Sequence, residues 1–128
     1  QSAGATMKLA INSVIHSLNQ AAAESLNLAQ AAGIDLSLAY EALESSAACA
    51  PMLRYRKRLY LDEQAHQIMF TVGLAAKDVD LAARLAKTLN VQMPQAELNL
   101  GILNQAKQNG YAQRDMASVI SYLKKEHK

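Results

Sequence analysis

A chain of 128 residues with 13 Lys and Arg against 11 Asp and Glu carries a formal charge of +2, too balanced for a dedicated nucleic-acid or polyanion binder. Its length fits one domain that buries roughly two thirds of its unfolded surface without staples. The single cysteine, Cys49, excludes an internal disulfide and a cysteine-based zinc cluster and suits a reducing compartment.

From about Ala5 to Ala32 the chain has no proline and no glycine, is rich in Ala and Leu, and carries only Lys8 and Glu24 as formal charges. That predicts a helix of about 28 residues, roughly 42 Å long. Met7, Ile11, Val14, Ile15, Leu18, Ala22, Leu26 and Ala29 recur at threes and fours, with further apolar residues on the other faces. Such a helix needs neighbours on most sides. An apolar strip left uncovered on its later half, near Leu18, Ala22, Leu26 and Ala29, is therefore expected to drive self-association.

Gly33 is placed to end this helix, and Asp35 to cap a second from about Leu36 to Ser46. Pro51 can open a short helix, after which Arg54, Arg56, Lys57 and Arg58 stand between aromatics. That basic run reads as a solvated or interface face in preference to a phosphate contact or a nucleic-acid patch. A loop is expected over 62–69. Thr71 can cap a strong helix over about 72–89, with Leu74, Ala75, Val79, Ala82, Leu85, Ala86 and Leu89 as its inner stripe. Pro94 starts a helix that Gly110 stops near Asn109, and Asp115 caps a last one from Met116 to about Lys125. No strand is expected. The fold class is all-α, five or six helices around one long N-terminal helix.

Lys8 and Asn12 stand at i and i+4 on the first helix, about 5 to 6 Å apart at Cβ. An ammonium and an amide so placed can touch one small polar ligand. By spacing alone, a lysine that merely snorkels at a helix start explains the pair as well. His16 and His66 are isolated and read as polar or surface residues, with no metal site. Cys49 reads as a buried small hydrophobe.

Taken in order, GATMKLAIN at 4–12, FTVGLAAKDVDLA at 70–82, a proline-started helix and GYAQRDMASVI at 110–120 resemble the C-terminal helical domain of the β-hydroxyacid dehydrogenases. That family includes 3-hydroxyisobutyrate dehydrogenase, tartronate semialdehyde reductase and glyoxylate/succinic semialdehyde reductase, and is related to 6-phosphogluconate dehydrogenase. The resemblance covers essentially the whole chain. Its most specific elements are Gly4, Lys8 and Asn12 at steps of four, and Phe70 seven residues before the pair Lys77-Asp78.

The resemblance implies residue roles. Lys8 falls on the catalytic lysine, while Asn12, with Gly4 beside it, falls on the substrate-binding segment, the asparagine holding the substrate's carboxylate. Lys77 falls on a lysine that reaches the cofactor, NAD or NADP, and Phe70 on the apolar wall of the site. Asp78 anchors its segment, and Asp115 matches an aspartate for which capping is preferred to catalysis. The chain departs from the family at Ser2 and Leu103, where a glycine and an aromatic are usual, and at Ile11, where an asparagine is usual.

The implied reaction interconverts a small hydroxy acid and its aldehyde or semialdehyde, with the lysine as acid/base. The sequence holds no G-x-G-x-x-G turn, so the dinucleotide-binding domain that the family places first is expected outside these 128 residues. The chain begins at Gln1, without methionine, as a piece of a longer protein would. By itself it is expected to be inactive. A homodimer or higher homo-oligomer is implied, with a small-molecule substrate and neither nucleic acid nor membrane as partner. No apolar run reaches the roughly 18 residues of a membrane span and no signal-peptide pattern is present, so a cytoplasmic location is expected. A non-catalytic helical dimerisation module, and an imine-reducing or dinucleotide-binding relative, remain as alternatives.

Overall fold

The computed structural model describes residues 2–125. Helix α1 runs over Ala3–Ala31, α2 over Leu36–Glu44, α3 over Pro51–Tyr55, α4 over Lys57–Leu61, α5 over Val72–Thr88, α6 over Pro94–Ala106 and α7 over Val119–Lys124. Single 3-10 turns cover Glu63–Ala65 and Met116–Ser118, and a π-turn over Lys107–Tyr111 extends α6. The described residues contain no strand, only a lone bridge between Thr71 and Asp115. The fold is all-α.

Local chemistry sets the helix ends. Ser2 Oγ accepts from Ala5 N–H at 3.1 Å, so Ser2 caps α1. At the other end Gly33 sits at φ +90, Gly33 N–H donates to Gln30 C=O and Ile34 N–H to Ala29 C=O. This pair of bonds is the Schellman closure, which needs a residue at ease in the left-handed region. Asp35 caps α2 through Leu38 N–H at 3.3 Å, and Thr71 caps α5 through Leu74 N–H at 3.1 Å. Pro51 and Pro94 open α3 and α6 at their first turns, where a missing N–H costs nothing.

Helix α1 is the axis, packed by α2, α5, α6 and α7. Its second half is inside: Ala22, Ala23 and Leu26 join Tyr40, Tyr60, Val79 and Val119 in the core. The expectation of an uncovered strip on that half is corrected here, since Ala22 and Leu26 are buried and Leu18 and Ala29 half-buried. Helices α2 and α7 cover them. On the second half Leu28 alone among the large apolar residues is exposed, at 73%, whereas the first half carries a stripe of three, Met7, Ile11 and Val14, 55%, 52% and 57% exposed. They stand at i, i+4 and i+7, about a third of the helix circumference from Lys8 and Asn12.

Helix α5 also turns differently from expectation. Val72, Ala75, Ala76, Val79, Ala82, Ala83 and Ala86 face inward, whereas Leu74 and Leu89 are exposed. Alanines on the inner face let α5 pack closely between α1 and α6, so the larger residues are pushed to the rim.

The basic run is corrected as well. Backbone angles of −102° and 6° at Arg56 break the helical path between α3 and α4 and turn that one side chain inward, to 3% exposure. Arg54 and Arg58 remain exposed, and Lys57 pairs with Glu44 at 2.7 Å. Arg56 Nη2 donates to Asp115 Oδ1 in a buried ion pair.

Asp115 ties several segments together. It caps the turn after it by accepting from Ala117 N–H at 2.8 Å, and its Oδ2 accepts from Met69 N–H and Phe70 N–H at 3.0 and 3.2 Å. Main-chain bonds from Met116 to Phe70, Val72 to Arg114 and Gly73 to Ala112 lie alongside. The last of these is a close approach, since a Cβ at Gly73 would stand 3.1 Å from Ala112 O and the carbonyl would have to shift by a few tenths of an ångström. The segment that presents Met69 and Phe70 is thus fixed by its backbone.

Candidate active site

Lys8, Asn12 and His16 follow one another at i, i+4 and i+8 along a single face of α1, each one turn deeper into the fold. Lys8 is exposed, Asn12 half-buried and His16 buried. Opposite them α5 brings Asp78, whose Oδ2 accepts from Asn12 Nδ2 at 3.2 Å and meets His16 Nε2 at 3.3 Å. Asp78 therefore holds the Asn12 side chain in place.

Burial is the largest influence on His16 and pushes its pKa below the ordinary 6.5, against the pull of Asp78; the Arg56 charge lowers it further. The ring is neutral at pH 7. A carboxylate only accepts, so Nε2 carries the proton and donates to Asp78, which leaves Nδ1 as an acceptor. Among the described residues no group donates to Nδ1.

Around this network lies a cleft of about 210 Å³. Its polar lining is Asn12, His16, Arg56 and Asp78, and its apolar walls come from Ile15, Tyr55, Met69, Phe70 and Met116. The Phe70 ring sits 5.7 Å from the His16 ring, centroid to centroid. Lys8 lies just outside, on a shallow groove with Leu9, Leu81 and Arg84 that shares Asp78 with the cleft. Lys8 has no ion-pair partner among the described residues.

Of the residues singled out in the sequence, Asn12, Phe70 and Asp78 thus meet in one cleft, with Lys8 at its edge and Asp115 buried beneath. Lys77 and Gly4 line neither hollow. Lys77 is exposed on α5, and a Cβ at Gly4 would meet nothing within 4 Å, so nothing among the described residues requires glycine there. Sequence reasoning missed His16 and Arg56. The i+8 spacing from Lys8 was a usable signal for the histidine, while nothing local marks the arginine.

Residues 2–123 match the sequence model of the family described as NAD-binding of NADP-dependent 3-hydroxyisobutyrate dehydrogenase. The chain belongs to that family. It is 29% identical over 121 residues to the chloroplastic glyoxylate/succinic semialdehyde reductase 2 of Arabidopsis thaliana, covering 94% of this chain and 34% of the relative. It is 31% identical over 118 residues to L-threonate dehydrogenase of Escherichia coli K12, covering 91% and 38%. The crystal structure of 3-hydroxyisobutyrate dehydrogenase from Salmonella typhimurium superposes with a TM-score of 0.87 at 30% identity, over 95% of this chain and 42% of that one. The Mycobacterium tuberculosis 3-hydroxyisobutyrate dehydrogenase, solved with L-serine, shares the fold with a TM-score of 0.80 at 17% identity, over 93% and 43%. The chain thus spans well under half the length of these relatives.

A nicotinamide dinucleotide, NAD or NADP, is the cofactor of this 3-hydroxyisobutyrate dehydrogenase family. Phe70 gives the cleft an aromatic wall against which a nicotinamide ring would fit, while Lys77 is exposed on α5 outside the cleft. No glycine-rich turn for a pyrophosphate occurs in the sequence.

Proposed function

We propose that this chain is the substrate-side helical domain of a longer NAD(P)-dependent oxidoreductase that interconverts a small hydroxy acid with its aldehyde or semialdehyde. The observation that carries this reading is the fixed Asn12 amide, held by Asp78 one helical turn from the uncommitted ammonium of Lys8. A bound nicotinamide dinucleotide supplies or accepts the hydride.

This chain's residues handle the rest. Asn12 binds the substrate's carboxylate and sets the carbinol oxygen beside Lys8 Nζ. In the reducing direction Lys8 gives its proton to the carbonyl oxygen as the hydride reaches the carbon; in the oxidising direction the neutral amine takes the hydroxyl proton. Phe70 keeps water from one side, and Lys77 faces the cofactor. Asp78 positions Asn12, and Asp115 holds the backbone that presents Phe70. The preceding domain binds the greater part of the dinucleotide, so the isolated chain has no activity. A homo-oligomer belongs to the same reading, supported by the exposed stripe of Met7, Ile11 and Val14.

Steady-state kinetics of the full-length protein test it. Lys8→Ala lowers kcat by orders of magnitude, and Lys8→Arg does not restore it, because a guanidinium does not exchange its proton near neutral pH. Retention of more than about a tenth of the turnover, a loss below roughly 1.4 kcal/mol, rules out the acid/base role.

A further inference from the structure

Two sets of donors compete for the carboxylate of Asp78. Its Oδ2 accepts from Asn12 Nδ2 at 3.2 Å and from His16 Nε2 at 3.3 Å, and the same residue lines the groove that holds Lys8. Lys8 and Asn12 are neighbours at i and i+4, so the flexible four-carbon stem of the lysine can carry its ammonium across the one turn between them. A charged donor binds a carboxylate more strongly than a neutral one does. Yet among the described residues Asp78 meets His16 and Asn12, and Lys8 forms no ion pair.

Burial explains the outcome. Lys8 is exposed, and a solvated ammonium gains little from pairing. The His16 side chain is 4% exposed and that of Asp78 21%, so their contact lies in drier surroundings where a bond counts for more. Asn12 and His16, one turn apart on α1, close on the same oxygen. Without the histidine, a single neutral bond from a half-buried amide would oppose the ammonium. The other charges facing this pair are spent elsewhere, Arg56 on Asp115 beside the cleft and Arg84 on Asp80 beside the groove.

We propose that His16 is a positioning residue that keeps Asp78 on Asn12 and off Lys8, so that the lysine stays unpaired and free to exchange its proton with the substrate. The inference rests on the reading of Lys8 as the acid/base and adds what keeps it free. An ion pair with Asp78 would stabilise the charged lysine, leave less neutral amine to take a hydroxyl proton, and draw Asp78 away from the Asn12 amide.

The test reads Lys8 directly in the full-length protein, without substrate or cofactor, by trace acetylation with acetic anhydride at about pH 8 and peptide mass spectrometry. Only the neutral amine attacks the anhydride. The yield at Lys8 is divided by that at Lys107, which is exposed and has no ion pair among the described residues. His16→Met fills the space without a donor, and the ratio is expected to fall about threefold or more as Asp78 turns to Lys8. His16→Gln, whose amide nitrogen reaches the Nε2 position, should keep the wild-type ratio. So should His16→Met combined with Asp78→Asn, which has no charge to offer; a merely structural role for the histidine would not be rescued by a change at Asp78.

A ratio in His16→Met within about 1.5-fold of wild type, or a fall that Asp78→Asn does not reverse, overturns the proposal. A rise of about threefold or more with Asp78→Asn alone also overturns it, because Asp78 would then already pair with Lys8. That arm leaves the histidine intact and holds whether or not His16→Met folds. Labelling needs no turnover, so the expected pattern in a protein whose Lys8→Ala variant keeps its kcat would support the hold of His16 on Asp78 and overturn only the acid/base role.

Discussion

The two halves of α1 have much the same composition and opposite fates. From Ser17 to Ala31 the helix meets α2, α6 and α7, and its polar residues are bonded into the core: Asn19 donates to Met116 C=O at 3.1 Å and accepts from Tyr60 OH at 2.8 Å, and Asn27 donates to Ile120 C=O at 3.0 Å. From Ala3 to Val14 the helix faces α5 and the segment with Val91 and Met93 along one side, and Met7, Ile11 and Val14 face outward. Apolar periodicity reports how much neighbour a helix needs. It does not report whether this chain supplies the neighbour, and the half that goes without one carries Lys8.

The largest effect that could break this comparison is on stability. Leu26 is 2% exposed in the buried half and Ile11 is 52% exposed in the open half. Leu26→Ala is expected to cost about 2 to 5 kcal/mol through lost burial and a cavity. Ile11→Ala, free of such contacts, stays within about 0.5 kcal/mol. Urea unfolding of the two variants measures both, and equal losses would mean that the open half is buried in solution.

Between the halves sits His16, and its titration sharpens the boundary. Its pKa is lowered in the folded protein, mainly by burial, so between that value and the unfolded value near 6.5 the unfolded chain binds more protons. Stability therefore rises with pH through that window and is lost as the pH falls below about 6.5. His16→Gln removes this contribution, and the pH slope of the unfolding free energy just below about 6.5 should flatten. An unchanged slope would place the histidine in water.

What was legible in the sequence follows the range of the interactions. Asp35, Thr71, Gly33, Pro51 and Pro94 act on the turn beside them, and each marks a helix end in the structure as its local chemistry predicts. Asp115 was legible as a cap for the same reason. Its hold on Arg56 was not, because the two residues are 59 positions apart and the kink at Arg56 has no proline or glycine to announce it. The same limit hid His16, whose partner Asp78 lies 62 positions away, and the strip on α1, whose cover comes from α2 and from α7 near the other end of the chain. Lys8 and Asn12 stood out by their spacing, but their proposed roles, like those of Phe70 and Lys77, come from the resemblance, since neither propensity nor periodicity distinguishes a site lysine from a solvated one.

The smallest effect concerns the open half itself. Met7, Ile11 and Val14 present a narrow apolar stripe, and burial against a second copy would contribute roughly 25 cal/mol per Å² of apolar area before the costs of association. A stripe three residues long is modest, so the isolated chain should self-associate only weakly, with a mass by light scattering that rises with concentration in the micromolar range. Ile11→Glu puts a charge in the middle of the stripe and should hold the mass at that of the 13.9 kDa chain. It should alter the unfolding free energy extrapolated to low protein concentration only slightly, within about 0.5 kcal/mol, because Ile11 is already 52% exposed in the monomer. Leu18→Glu, on the strip that sequence periodicity favours, makes the contrast: it should destabilise the fold, since Leu18 packs against the core. A mass that falls to that of the monomer with Leu18→Glu while unfolding is unchanged, and that ignores Ile11→Glu, would return the interface to the later half of α1.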